Sequence, residues 1–103
     1  MMRILVVGDF SPQARLAHVH ETPPSDVLGE FVDLVGGADF AVVNLEAPLC
    51  TPFHPIAKTG PALHGSVESA NFLKEAGFGL CCLANNHIMD YGADGLSQTM
   101  DAL

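Results

Sequence analysis

The sequence predicts an α/β fold, a parallel sheet of about three strands joined by helical crossovers over a single domain of residues 1–103. Two observations carry that expectation. Three short apolar runs (Ile4 to Val7, Phe40 to Val43, Leu80 to Leu83) alternate with segments of helical periodicity. The runs are continuous rather than alternating, as in strands covered on both faces.

Arg3 to Val7 reads as the first strand, ended by Gly8 and Asp9. Pro12, Pro23 and Pro24 make the next segment a loop, with room for a helical turn between Gln13 and His18. Ser25 is placed as the cap of one amphipathic helix, because Val27, Leu28, Phe31, Val32 and Val35 recur at helical spacing up to Gly36 and Gly37. Asp39 to Leu45 is the second strand and runs into Glu46. A proline-rich irregular stretch, Pro48 to Pro61, follows. Ser66 is expected to cap a second helix carrying Val67, Ala70, Leu73 and Ala76, stopped by Gly77. Gly79 to Leu83 is the third strand, and Asp94 caps a last helix through Leu96, Met100 and Leu103. Alternating strands and helices imply right-handed crossovers. Two such crossovers on three strands leave one sheet face open, which predicts either self-association as a homo-oligomer or cover by a C-terminal half that this chain lacks.

Composition removes several classes of function. At 103 residues and 49% hydrophobic content the chain folds as a globular domain, burying about two thirds of its unfolded surface. Twelve acidic residues against four basic ones give a net charge of −8 and no basic stripe, which argues against nucleic acid and anionic membranes as partners. The apolar part of Met1 to Asp9 is too short for a signal-peptide core, and no run is long enough for a transmembrane segment. Cys50, Cys81 and Cys82 lack metal-site spacing and read as small buried hydrophobes of a reduced, cytoplasmic protein. A nucleotide-binding module is disfavoured, because Gly8-Asp9-Phe10-Ser11-Pro12 is not a glycine-rich phosphate loop.

Chemistry concentrates where the strands stop. In a parallel sheet the three strands finish at one edge, where ligands bind. Asp9 follows the first strand, Asn44 and Glu46 the second, and Asn85, Asn86 and His87 the third. Converging carboxylates repel unless a cation sits among them. Oxygen and imidazole donors without thiolate suit divalent Mn, Mg, Fe or Zn. Lys58 stands in a Gly-Pro loop able to reach the same edge and bind a phosphate or carboxylate. His18, His20, His54 and His64 are read as surface histidines without ligand spacing.

These motifs in order, Gly8-Asp9, Asn44-Leu45-Glu46-Ala47-Pro48, Lys58-Thr59-Gly60-Pro61 and Leu83-Ala84-Asn85-Asn86-His87-Ile88-Met89-Asp90-Tyr91-Gly92, resemble the bacterial capsule-synthesis CapA family. That family is associated with capsule and poly-gamma-glutamate production and belongs to the calcineurin-like metallophosphoesterase superfamily. The resemblance implies a metal-dependent phosphoesterase, a hydrolase acting on a small phosphate-containing substrate with two metal ions in a complete site. It implies Asp9, Glu46 and Asn86 as metal ligands, Glu46 bridging, and His87 as proton donor. Lys58, Asn44 and Asn85 are expected to contact substrate. Asp90 would orient His87 or brace the turn, and the bracing role is preferred. Ser11 stands where the superfamily carries a histidine ligand. The resemblance makes the chain one half of a two-sheet α/β sandwich, with further ligands in the other half. The competing expectation is a non-catalytic truncated fragment, a self-associating interaction module that keeps the fold.

Overall fold

A computed structural model describes all residues from Met1 to Leu103. It has three strands, β1 (Ile4–Phe10), β2 (Phe40–Leu45) and β3 (Leu80–Cys82), in one parallel sheet of order β1-β2-β3. The helices are α1 (Pro24–Leu28), α2 (Phe31–Gly37), α3 (Ser69–Ala76) and α4 (Gly92–Ala102), with 3-10 turns at Ala14–Leu16 and Val19–Glu21. None of the helices is long and apolar enough to cross a membrane.

The expected single helix after Pro24 is two. Gly29 interrupts it at φ 57°, ψ −137°, a conformation that favours glycine and that no helix can contain. Pro24 opens α1 at a position where its missing N–H costs nothing, so Ser25 lies inside the helix rather than capping it. Ser66 likewise precedes α3 by a turn, and Asp94 lies in the first turn of α4, past its start at Gly92. Gly77 does stop α3: at φ 102° it takes the left-handed conformation, and Phe78 N–H reaches back to the Leu73 carbonyl.

One face of the sheet is packed. Val43 and Leu45 meet Phe72 and Leu73 of α3, together with Val19 and Leu49, and Phe10 stacks on Phe72 at 5.6 Å. Phe72 falls outside the helix face expected from the sequence, although it is among the most buried side chains. Burying it at 1% exposure stabilises the chain by about 2–3 kcal/mol.

The other face is bare. Ile4 pairs with Phe40, and Val6 with Val42, which pairs with Leu80, so these apolar residues share one surface. Ile4 is 59% and Val6 70% exposed. Cys82, in register with Asn44 on this same side, is exposed, so it is not the buried hydrophobe expected of it. Cys81 points to the packed side, and burial pushes its thiol pKa up, as it does that of Cys50.

Beyond β2 the backbone is locked by pairing with distant parts of the chain. Leu49 bridges Gly65, and α4 adds the Thr99 hydroxyl, which accepts the Leu49 N–H at 2.9 Å and donates to the Gly95 carbonyl at 2.7 Å. A Cβ at Gly65 would come within 2.4 Å of Pro12 Cγ, so only glycine lets this segment lie against the end of β1.

Candidate functional site at the sheet edge

β1 runs three residues past the expected stop, to Phe10, so Asp9 is part of the strand. Its register is irregular there: Val6 pairs with Val42 but Asp9 with Asn44, three residues of β1 against two of β2. The extra residue reverses the alternation. Without it Asp9 would share the packed face with Val7; with it Asp9 stands beside Asn44 on the bare side, and Phe10 turns into the core. Gly8 sits in the irregular stretch, where no neighbour comes within 4 Å of a Cβ position.

A line of hydrogen bonds then crosses the sheet edge. Asn44 Nδ2 donates to Asp9 Oδ1 at 2.7 Å. Asn85 Nδ2 donates to Asn44 Oδ1 at 3.2 Å and to the Leu45 carbonyl at 2.8 Å. Asn85 Oδ1 accepts the His87 N–H at 3.1 Å. Each amide has its oxygen and nitrogen assigned by this chain of partners. Asn44 and Asn85 therefore tie the three strand ends together, while Asn86, next along, is exposed.

Glu46 leaves β2 with its N–H on the Phe10 carbonyl at 2.9 Å, which keeps it against the end of β1. Its carboxyl neighbours that of Asp9. The Asp9 carboxylate as hydrogen-bond partner, followed by desolvation and by that carboxylate's charge, pushes the Glu46 pKa up, and His87 opposes this. Asp9 moves the other way, held below the usual carboxylate range by its hydrogen bonds from Asn44 and then Glu46. Two carboxyls pushed apart in this way constitute a site short of positive charge.

His87 is set from the opposite side by Asp90, whose side chain is 0% exposed. Asp90 Oδ2 lies 2.7 Å from His87 Nδ1 and accepts the Leu63 N–H at 2.7 Å, while Oδ1 takes Lys58 Nζ at 2.6 Å. The Asp90 carbonyl also accepts the Ile56 N–H at 2.8 Å. Burial raises the Asp90 pKa, but the Leu63 N–H, Lys58 and His87 together outweigh it and hold the carboxyl below its ordinary value. A carboxylate at Nδ1 puts the imidazole proton there and leaves Nε2 as the outward nitrogen. Lys58 also lies 3.5 Å from that Nδ1, but both atoms are donors, so its bond is the one to Asp90. Orienting the histidine and bracing the turn are thus one arrangement, and Asp90 does both.

The structure brings Asp9, Asn44, Glu46, Asn85 and His87 to one edge, with Lys58 and Asp90 behind the histidine. His54 and His64 stay outside it, with His64 packed edge-on against Tyr91 at 5.4 Å. His18 and His20, expected to be unconnected, instead gather with Glu21 elsewhere on the surface.

Comparison with known proteins adds a family. The family described as bacterial capsule synthesis protein PGA_cap matches residues 3–103. Two uncharacterised proteins of Sinorhizobium fredii, y4sH and y4uA, are each 33% identical over 101 residues, 93% of this chain and 21% of theirs. The PGA biosynthesis protein CapA of Bacillus subtilis is 29% identical over 96 residues, 91% of this chain and 25% of its own. The chain spans about a fifth to a quarter of the length of these relatives.

Proposed function

The chain belongs to the bacterial capsule synthesis protein PGA_cap family, and on that premise we propose that it carries part of a divalent-metal site for phosphoester chemistry in capsule or poly-gamma-glutamate biosynthesis. The observation that supports this most is the convergence of Asp9 and Glu46 at one strand edge: Asp9 is held by the Asn44 amide at 2.7 Å, Glu46 is kept against the end of β1 by its N–H on the Phe10 carbonyl at 2.9 Å, and the two carboxyls shift one another's pKa in opposite directions. Oxygen donors so placed fit a hard or borderline divalent cation.

Asp9, Glu46 and Asn86 would hold the metal, with Glu46 bridging where two ions bind. A bound metal pair supplies polarisation of a phosphoryl oxygen and a water ionised near neutral pH. The remaining work falls to the chain. His87 delivers a proton from Nε2 to the leaving oxygen, and Asp90 stabilises the charged imidazole through Nδ1. Lys58, held by Asp90, places a positive charge beside an anionic group. Asn44 and Asn85 position the carboxylate and the histidine turn through their shared hydrogen bonds.

The test is equilibrium dialysis of chelator-stripped chain against Mn²⁺, followed by Mn²⁺-stimulated hydrolysis of an aryl phosphate. Stoichiometric Mn²⁺ binding that Asp9→Asn and Glu46→Gln abolish is the expected outcome. Retention of no Mn²⁺ at millimolar concentration sinks the metal reading.

A second reading, a self-associating module, is favoured by the bare sheet face. That face runs continuously from Ile4 and Val6 to Asp9 and Asn44, so whatever covers it reaches the site. Light scattering on the 103-residue chain is expected to show concentration-dependent association, reversed by Val6→Lys. A monodisperse monomer at high micromolar concentration would count against it.

A further inference from the structure

We propose that His18, His20 and Glu21, in the turn between β1 and α1, form a separate divalent-cation site of the class that takes Zn²⁺. One donor atom from each of the three lies within 4.8 Å of the others. Tetrahedral Zn²⁺ holds its ligand atoms about 3.3 Å apart, so small side-chain rotations close the site.

The fold presents these groups together. Histidines two residues apart diverge on a regular helix, but His18 has φ −114°, ψ 30° and stands outside the single 3-10 turn that begins at Val19. Val19, between the two histidines, is 3% exposed and belongs to the core, so its burial sends both imidazoles to the outer side. Their ring centroids are 6.2 Å apart and tilted by 55°.

His20 is oriented further. Its Nδ1 lies 3.5 Å from the Ser66 hydroxyl, which leaves Nε2 as the donor, 3.9 Å from Glu21 Oε1. An oxygen partner on the second ring nitrogen is what fixes the tautomer of a metal-bound histidine. Glu68 and Glu75 line the same depression as His20, with Lys74 the one opposing charge. Two imidazoles and a carboxylate leave the fourth position of Zn²⁺ to water, and the chain's charge of −8 attracts a cation to it. Because Ser66 leads into α3, the ion would tie the loop after β1 to that helix.

The experiment titrates Zn²⁺ calorimetrically into the 103-residue chain carrying Asp9→Asn and Glu46→Gln, so that the sheet edge does not contribute. Co²⁺ absorption serves as the spectroscopic probe. One Zn²⁺ per chain and an intense tetrahedral Co²⁺ band are expected. Adding His18→Ala or His20→Ala should weaken binding at least tenfold, with an unchanged far-UV circular dichroism spectrum. Absence of Zn²⁺ binding at 1 mM, or binding that the double histidine variant leaves unaltered, overturns the proposal. The Mn²⁺ experiment on the otherwise unchanged chain reports the sheet-edge site separately.

Discussion

Asp90→Ala is expected to lower the stability of the chain by on the order of 3 kcal/mol, measured as a shift in urea midpoint at unchanged slope. The side chain removed is fully buried and is the common acceptor for Lys58, His87 and the Leu63 N–H. Deleting it strands two of these donors in a partly buried setting, and an orphaned donor costs about 1–3 kcal/mol. Faster amide exchange at Leu63 should accompany the loss, since its N–H ends on the deleted carboxylate. The pH dependence has a definite sign. The folded carboxyl has a pKa below its unfolded value of about 3.9, so its contribution is complete above that value. It is lost as pH falls through the lower folded pKa, so the difference between wild type and variant should shrink below about pH 4. A midpoint shift worth under 1 kcal/mol at pH 7 would show that Asp90 is not the brace described.

His87→Ala is expected to lower Mn²⁺-stimulated aryl phosphate hydrolysis by at least about a hundredfold while leaving Mn²⁺ affinity within about twofold. The argument rests on placement. Asp90 occupies Nδ1, so only Nε2 is free to face a leaving group, and the proposed ligands are other residues. Asp90→Asn removes the negative charge while preserving volume. Because Oδ2 faces both His87 Nδ1 and the Leu63 N–H, the amide oxygen takes that place and the NH2 group meets Lys58 Nζ, so the bond to Lys58 is lost and the one to Leu63 is kept. That variant should lose rate with a displaced pH profile, since no carboxylate stabilises the charged imidazole, and should be destabilised less than Asp90→Ala. Equal activity in wild type and His87→Ala would remove the proton-donor role.

The order of elements was legible because its signals are local. Three apolar runs and Gly77 specify the strands and one helix stop through contacts within a few residues, and these agree with the structure. The break between α1 and α2 was not legible for a reason equally local: the apolar spacing continues smoothly across Gly29, whose positive φ no periodicity reports. The bare sheet face was legible too, since two crossovers of one hand in strand order 1-2-3 stack on the same side.

For the site, the sequence by itself determined which groups arrive at the sheet edge: Asp9, Asn44, Glu46, Asn85 and His87, each within five residues of the end of a strand. What they do to one another was decided only in three dimensions. A period of two assigns faces while register holds, and the irregularity between Val6 and Asp9 breaks it through pairing with β2, which turns Asp9 toward Asn44. Asp90 meets Lys58 and Leu63 across 32 and 27 residues of chain, and His20 meets Ser66 across 46. Such pairings depend on where the core pins each loop, by Val19 in one case and by the Leu49 and Gly65 bridge in the other. Spacing along the chain carries no information about distances that the packing of other residues sets.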